Sequence, residues 1–271
     1  MRLSKEQIDR YQEDGFLLVE SALDGREVQR LREAFRRDCD VPGPQRVVED
    51  DSDEVRAVYA SHHRQPEFAG LLRDPRILEP VRQLLVDEVY VYQFKINAKP
   101  AFGGERWSWH QDYVAWRIAD ALPAPHQVTV GVFLDDVDEF NGPVIFVPGS
   151  HRAGLLREDR REGTAKSDQH LDPDDIALTP RQLSALVSEH GMVSPKGPAG
   201  SVVFFSPEIV HGSALNMSPF DRRLLLVTYN DAANLPSWPG EPRPEYVVCQ
   251  DTTPLRTLGA PFLDTLEGAA L

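Results

Sequence analysis

The stretch "VYVYQFKINAKP", residues 89–100, is where the character of the chain changes. It is β-branched and aromatic, it alternates, and it closes on a proline, as a strand does. The chain before it reads as mostly helical. In "LSKEQIDRYQEDG" (3–15), Ser4 holds an N-cap position, Glu6 and Gln7 come next, and Gly15 stands past the end. "FLLVES" (16–21) is a short strand. "DGREVQRLREAFRRD" (24–38) spaces Val28, Leu31 and Phe35 at the helical period. Residues 40–55, rich in Pro, Gly and acid, read as a loop. "DPRILEPVRQLLVD" (74–87) reads as a helix capped by Asp74, with Pro75 at its first position.

The chain after residue 100 reads as strands bounded by Gly, Pro, Asn and Asp: "QVTVGVFLDDV" (127–137), "PVIFVPG" (143–149), "GSVVFFSPEIVHGS" (200–213) and "RRLLLVTYND" (222–231). A polar, acidic insert interrupts them and ends in a short helix, "TPRQLSALVSEHG" (179–191). Helices first and many strands after predict an α+β fold, with N-terminal helices buttressing a β-sandwich or barrel; a double-sheet jelly roll handles this many strands without long open edges. The expectation is a single domain over 1–271. Its helical part is 1–88, its jelly-roll core 89–250, and the insert at about 157–190 is lid-like.

Bulk properties narrow the function. The chain has 271 residues, 41% hydrophobic and 27% charged, enough for a sizeable core. A net charge of −14 argues against a nucleic-acid partner. No apolar run approaches the ~18 residues of a membrane span, and the charged start "MRLSKEQIDRYQEDG" lacks a signal peptide's apolar stretch. Two distant cysteines, Cys39 and Cys249, make no disulfide framework. A reduced cytoplasmic protein, monomer or homodimer, is expected.

The chemistry is concentrated in "GERWSWHQDYVAW" (104–116), where three of the four tryptophans surround His110-x-Asp112. Two residues apart on an extended strand, both side chains would leave one face. A neutral imidazole and a carboxylate there make two ligands of one metal, and the aromatic flanks suit a small-molecule pocket. The pattern alone is weak, because His170-Leu171-Asp172 repeats it in a polar stretch that reads as a solvated turn. His211, ending an apolar strand before Gly212, is the candidate third ligand. Two His and one Asp match the facial triad that holds iron(II), although the same ligand types suit zinc. Arg222 opens the next strand. A hairpin joining 211 to 222 would set the two side by side and give a carboxylate a bidentate anchor. Arg223 should point to the opposite face.

With His110-x-Asp112, His211 and Arg222 so spaced, the chain resembles the phytanoyl-CoA dioxygenase superfamily of Fe(II)/2-oxoglutarate oxygenases. The stretches "QIDRYQEDGFLLVESAL", "NGPVIFVPGSH" and "GSVVFFSPEIVHGSALNMSPFDRR" are of that type. "WHQDYVAW" and "LVTYNDAANLP" are similar to segments of its ectoine hydroxylase-like branch. "RAVYASH", "QFKINAKPAFGG" and "PGEPRPEYVV" bring the pattern nearer still to L-leucine 5-hydroxylation in natural-product biosynthesis. The resemblance implies a double-stranded β-helix, a cupin-like jelly roll with the iron between its sheets, with His110, Asp112 and His211 as iron ligands and Arg222 as the anchor for 2-oxoglutarate. It implies Ser213 and Asn97 as further cosubstrate contacts, and Lys95 alternates onto the face of Asn97. The implied cofactors are Fe(II), 2-oxoglutarate and O2, with ascorbate stimulatory. An aspartate at the carboxylate position implies hydroxylation, since halogenases of this class carry a small residue there.

For the substrate, Trp116 matches a position that packs ectoine in the related enzyme. Arg243, held between prolines, suits capture of an amino-acid carboxylate. Tyr59 could supply a hydrogen-bonding wall, and His62, with His63, could line the pocket. Asp168, Gln169 or His170 of the insert could meet the substrate ammonium. The expected reaction is hydroxylation of an unactivated C–H bond in a free aliphatic L-amino acid, leucine first, at its δ carbon. The alternatives are ectoine or another small cyclic or amino-acid substrate and, from a different class, a non-catalytic metal-binding jelly roll.

Overall fold

The computed structural model describes residues 1–49, 53–159 and 173–268. Its N-terminal half runs α1 (Lys5–Asp14), β1 (Phe16–Val19), α2 (Gly25–Cys39), β2 (Arg46–Val48), β3 (Val55–Tyr59), α3 (Pro66–Leu71), α4 (Leu78–Leu85) and β4 (Val89–Lys99). Next come β5 (Trp107–His110), α5 (Asp112–Asp120), β6 (Gln127–Phe133), β7 (Val144–Phe146) and α6 (Pro180–His190). The chain closes with β8 (Val202–Phe205), β9 (His211–Ser213), β10 (Arg222–Asp231) and α7 (Phe262–Gly268). Among the described residues the strands form two antiparallel sheets, a major one in the order β1-β8-β6-β10-β4-β3-β2 and a minor one in the order β5-β9-β7. This is the double-stranded β-helix.

Local chemistry sets the helix ends. In α1, Ser4 Oγ accepts from the Gln7 backbone while Gln7 Oε1 accepts from the Ser4 backbone, a capping box, and Gly15 closes the helix at φ 81°. Asp24 and Glu27 repeat the box on α2. Two expectations fail nearby. The supposed loop 40–55 contains β2, an edge strand paired to β3. The helix expected over 74–87 is regular only over Leu78–Leu85, although the Asp74 carboxylate still caps the turn that leads into it. The carboxylate accepts from the Arg76 backbone at 2.8 Å and from the Phe262 backbone at 2.8 Å, which ties α7 to the turn.

Alternation decides which side of the major sheet is dry. Val128, Val130 and Val132 of β6, Val202 and Phe204 of β8, and Leu225, Val227 and Tyr229 of β10 face the helices. There they meet Leu31 and Phe35 of α2, Phe68 of α3, and Leu78 and Val81 of α4. The opposite face looks toward the minor sheet and the candidate site. Strand β4 breaks strict alternation. Against β10, Val91 is opposite Tyr229 and Gln93 opposite Thr228, so Tyr92 is the extra residue of a β-bulge. Val89 and Val91 pack under the helices, and past the bulge Phe94 and Ile96 do. The odd-numbered residues Gln93, Lys95 and Asn97 are thereby turned inward, against the parity of Val89 and Val91. The strand expected over 200–213 is two strands. The chain leaves β8 at Ser206–Pro207 and crosses to the minor sheet as β9.

Leu225 is fully buried at the centre of the helix-facing core. Leu225→Ala should cost about 2–5 kcal/mol, as deletion of a packed core side chain does. Urea denaturation measures it, and a loss below about 1 kcal/mol would contradict this packing.

Candidate metal centre and adjoining pockets

His110 is the last residue of β5 and Asp112 the first of α5, so the pair is not carried by one extended strand as expected. The chain turns at Gln111, whose fully buried amide donates to the Gly154 and Glu208 carbonyls at 2.9 and 2.7 Å. The turn still brings the side chains together. His110 Nε2 lies 3.4 Å from Asp112 Oδ1 and His211 Nε2 lies 3.9 Å from Asp112 Oδ2. One ligand atom from each of the three lies within 4.8 Å of the others. Register explains the convergence, because β5 and β9 pair with His110 opposite His211.

The hydrogen bonds behind the imidazoles fix their tautomers. His110 Nδ1 lies 2.6 Å from the Ser108 carbonyl and His211 Nδ1 lies 3.0 Å from the Ile209 carbonyl. A carbonyl only accepts, so each Nδ1 carries the hydrogen and each Nε2 lone pair faces Asp112. Burial and the neighbouring His110 push His211 down to about 4, so it is neutral at pH 7. Burial alone would raise the Asp112 carboxyl, but His211 and His110 hold it below the usual carboxylate range. Two imidazoles and one carboxylate, their donor atoms together, form a donor set that fits a divalent iron ion.

Beside this cluster the inner face of the major sheet carries two buried basic side chains. Arg222, 2% exposed, donates Nη2 to the Gly142 carbonyl. Lys99, 1% exposed, donates Nζ to Ser213 Oγ at 2.8 Å and to the Ala214 carbonyl. The two are register partners across β10 and β4. Among the described residues no carboxylate lies within ion-pair distance of either. Burial, then the charge of Arg222, pushes Lys99 down to about 6, and burial pushes Arg222 down to about 10. Arg222 Nε and Asn97 Oδ1 are buried with no hydrogen-bond partner. A buried guanidinium and two orphaned polar atoms, in a cavity also lined by Ser213, Asn97 and Lys95 and backed by Lys99, which an anion would return to its charged form, fit a dianion such as 2-oxoglutarate. Gly142, at φ 68°, presents its carbonyl here; a Cβ on it would sit 2.7 Å from the Ala214 carbonyl oxygen.

The hairpin expected between His211 and Arg222 does not exist. β9 belongs to the minor sheet and β10 to the major, so the two residues face each other across the cavity. Arg223 points away, as expected, and its guanidinium is paired with Asp135 at 2.7 Å.

A second compartment shares Gln93, Lys95, Trp107, His110 and Asp112 with the first, and is closed by Tyr59, Ala115, Trp116, Ile176, Arg243 and Val247. Trp116 is buried, edge-on to Tyr92 at 5.3 Å. Arg243, 8% exposed, is more constrained than its setting between prolines suggests. Its Nε donates to Asp120 Oδ1 at 2.7 Å and its Nη2 to Asp120 Oδ2, which also accepts from the Tyr92 hydroxyl. Burial alone would lower this guanidinium, but Asp120 more than offsets that. His62 is a correction. It lines neither compartment, and its ring packs on Phe94 at 5.0 Å and on His63 at 4.0 Å. Asp168, Gln169 and His170 lie outside the described residues. Lys99 and Asp120 are site residues that the sequence reading misses. Extending the alternation of Lys95 and Asn97 by one step finds Lys99, while an acid ending the largely apolar run "DYVAWRIAD" is the only signal for Asp120.

The phytanoyl-CoA dioxygenase (PhyH) family model matches residues 11–224. The chain is similar to the L-proline trans-4-hydroxylase of Streptomyces griseoviridis, 37% identical over 256 residues, covering 91% of this chain and 92% of that one. It is 36% identical over 257 residues to the ectoine dioxygenase of Bordetella bronchiseptica, covering 90% and 82%. Among solved structures, EctD from S. alaskensis with 2-oxoglutarate and 5-hydroxyectoine superposes with a TM-score of 0.83 at 28% identity, covering 96% of this chain and 89% of that one. The carbocyclase SnoK from nogalamycin biosynthesis, at 24% identity and a TM-score of 0.68, shares the fold.

Two measurements check this geometry. His211→Ala should weaken Fe(II) binding at least ~100-fold by anaerobic calorimetry; unchanged affinity would contradict the donor set. Lys99 gives the second. In the unfolded chain it keeps its proton to the ordinary 10.5, and in the fold it loses it at about 6. Between those values the unfolded state binds the extra proton, so this lysine makes stability rise with pH. Without ligands, Lys99→Met should flatten the stability–pH curve from about pH 6 to 9. An unchanged slope would contradict a neutral buried lysine.

Proposed function

The chain belongs to the phytanoyl-CoA dioxygenase family, and from that premise we propose that it hydroxylates a free aliphatic L-amino acid, L-leucine first, at the unactivated δ carbon. It is an Fe(II)/2-oxoglutarate-dependent dioxygenase of the ectoine and proline hydroxylase type, acting on a small molecule. Bound Fe(II) and 2-oxoglutarate supply, with O2, oxidation of a C–H bond coupled to decarboxylation of the cosubstrate.

The residues of this chain divide the rest of the work. His110, Asp112 and His211 would hold the metal. Arg222 and Lys99 neutralise the far carboxylate of 2-oxoglutarate, and Ser213, Asn97 and Lys95 complete its hydrogen bonding. His110 and Asp112 also border the second compartment, so a substrate there lies against the metal. That compartment combines one guanidinium with apolar walls from Ala115, Trp116, Ile176 and Val247. Arg243 receives the substrate carboxylate. Its bond to Asp120 uses two of its five N–H groups and fixes its plane. The apolar walls pack the side chain and exclude water, so one carbon is held toward the metal.

The observation that carries this reading is the buried Arg243–Asp120 pair in a compartment whose walls also include Ala115, Trp116, Ile176 and Val247. A small ring, as in proline or ectoine, is the second reading, favoured by the relatives' names. A screen of leucine, isoleucine, valine, proline and ectoine with Fe(II), 2-oxoglutarate and ascorbate, read by mass for one added oxygen, separates the two. Leucine should be turned over best, with product oxidised at the δ carbon, and preference for proline or ectoine would overturn the assignment. Arg243→Lys keeps the charge but loses the fork. It should raise the leucine KM about 10–100-fold with a much smaller change in kcat, the loss of charge-assisted hydrogen bonds to a carboxylate. An unchanged KM would remove Arg243 from substrate binding.

A further inference from the structure

A second set of metal-binding side chains converges outside both compartments. His62 and His63 belong to the short 3₁₀ turn after β3, and Cys249 lies in the segment between β10 and α7. One ligand atom from each lies within 4.8 Å of the other two. We propose that His62, His63 and Cys249 form a second metal site, for a thiophilic divalent ion of the Zn(II) class, separate from the His110–Asp112–His211 centre.

The donors hang from a pinned backbone. Ala60 opens the turn in the left-handed region at φ 50°, and the next residue, Ser61, is fully buried. Arg64 locks the turn with a forked pair of 2.7 Å bonds to Asp38 and a third to the Tyr59 carbonyl. Across from it, the Cys249 backbone N–H donates to the Tyr92 carbonyl at 2.9 Å. Such a site needs small side-chain adjustment rather than refolding.

The donors are also in a suitable state. His62 Nδ1 is buried without a hydrogen-bond partner, an arrangement that costs roughly 1–3 kcal/mol unless something satisfies it. Burial, then the charge of His63, pushes His62 down to about 3, so its imidazole is neutral and has a free lone pair. Burial pushes the Cys249 thiol up, so it carries its S–H proton until a metal binds. Binding forms a metal–sulfur bond and breaks the S–H bond, releasing one proton to solvent with no change of oxidation state. Two imidazoles and a thiolate select Zn(II)-like ions over Mg(II) or Ca(II), which take oxygen ligands. His63 is exposed and gives the ion access.

The location gives the site a consequence. Tyr59, three residues before His62, and Val247, two before Cys249, both line the substrate compartment. An ion here ties β3 to the C-terminal segment and braces that wall. The proposal does not depend on which substrate the enzyme takes.

Cobalt(II) titration of the intact protein tests it. The iron-type cluster contains no sulfur, so a near-ultraviolet sulfur-to-cobalt charge-transfer band reports this site alone. The band should saturate by two equivalents of cobalt, one for each metal centre, survive Cys39→Ser, and vanish in Cys249→Ser and in His63→Ala. His63→Ala alters an exposed side chain, so it decides the matter even if Cys249→Ser folds poorly. Absence of the band in the wild-type protein, its growth only at large cobalt excess, or its survival in His63→Ala overturns the proposal.

Discussion

Two basic side chains buried side by side on one ladder, only one of them able to hold its charge without an anion, are the constraint around which this structure is built. Arg222 and Lys99 are register partners of β10 and β4, each almost wholly removed from water. Placing like charges in a dry interior is costly unless an anion shares the space. The scaffold supplies carbonyl and hydroxyl oxygens from Gly142, Ala214 and Ser213, which satisfy hydrogen bonds but carry no net charge. A diacid cosubstrate completes the arrangement. Its negative charge would let Lys99 regain a proton beside Arg222, and the metal-binding cluster lines the same cavity as Arg222.

The β-bulge at Tyr92 makes this possible. Without it, alternation would carry Gln93, Lys95 and Asn97 to the side of Val89 and Val91, under the helices. The extra residue flips that parity once. The first half of β4 then contributes valines to the helix-facing core, and the second half contributes polar groups to the cavity. The bulge also leaves the Tyr92 hydroxyl on the inner side, where it supports Asp120 and through it Arg243. One inserted residue thus serves both the cosubstrate cavity and the substrate wall.

Much of this is legible in the sequence, in proportion to how local the cause is. Capping boxes at Ser4 and Asp24 and the alternation of β6 and β10 depend on neighbours a few residues away, and the α+β class follows from them. The bulge is not legible, because a period-two pattern carries no mark of where one residue goes unpaired. A strand argument singles out His110 and Asp112, whereas the structure turns from strand to helix between them. Spacing suggests a hairpin between His211 and Arg222, because a three-residue strand is too short to declare which sheet it joins. Proximity to Tyr59 in the chain suggests a pocket position for His62, but a 3₁₀ turn points it elsewhere. The hairpin error concerns how the two sheets face one another, a property of the assembled fold, whereas the other two are short turns that a periodicity argument does not see.

The claim that the paired basic side chains are built for a dianion can be tested by ligand-linked stability. Thermal unfolding of the Fe(II)-loaded, oxygen-free protein would be followed with 2-oxoglutarate and, separately, with pyruvate, which chelates a metal in the same way but lacks the distal carboxylate. At ~100 times its dissociation constant 2-oxoglutarate should add about 2.7 kcal/mol of stability, with a clear rise in Tm. Pyruvate at the same concentration should add little. Equal shifts from the two, or none from 2-oxoglutarate, would contradict the account.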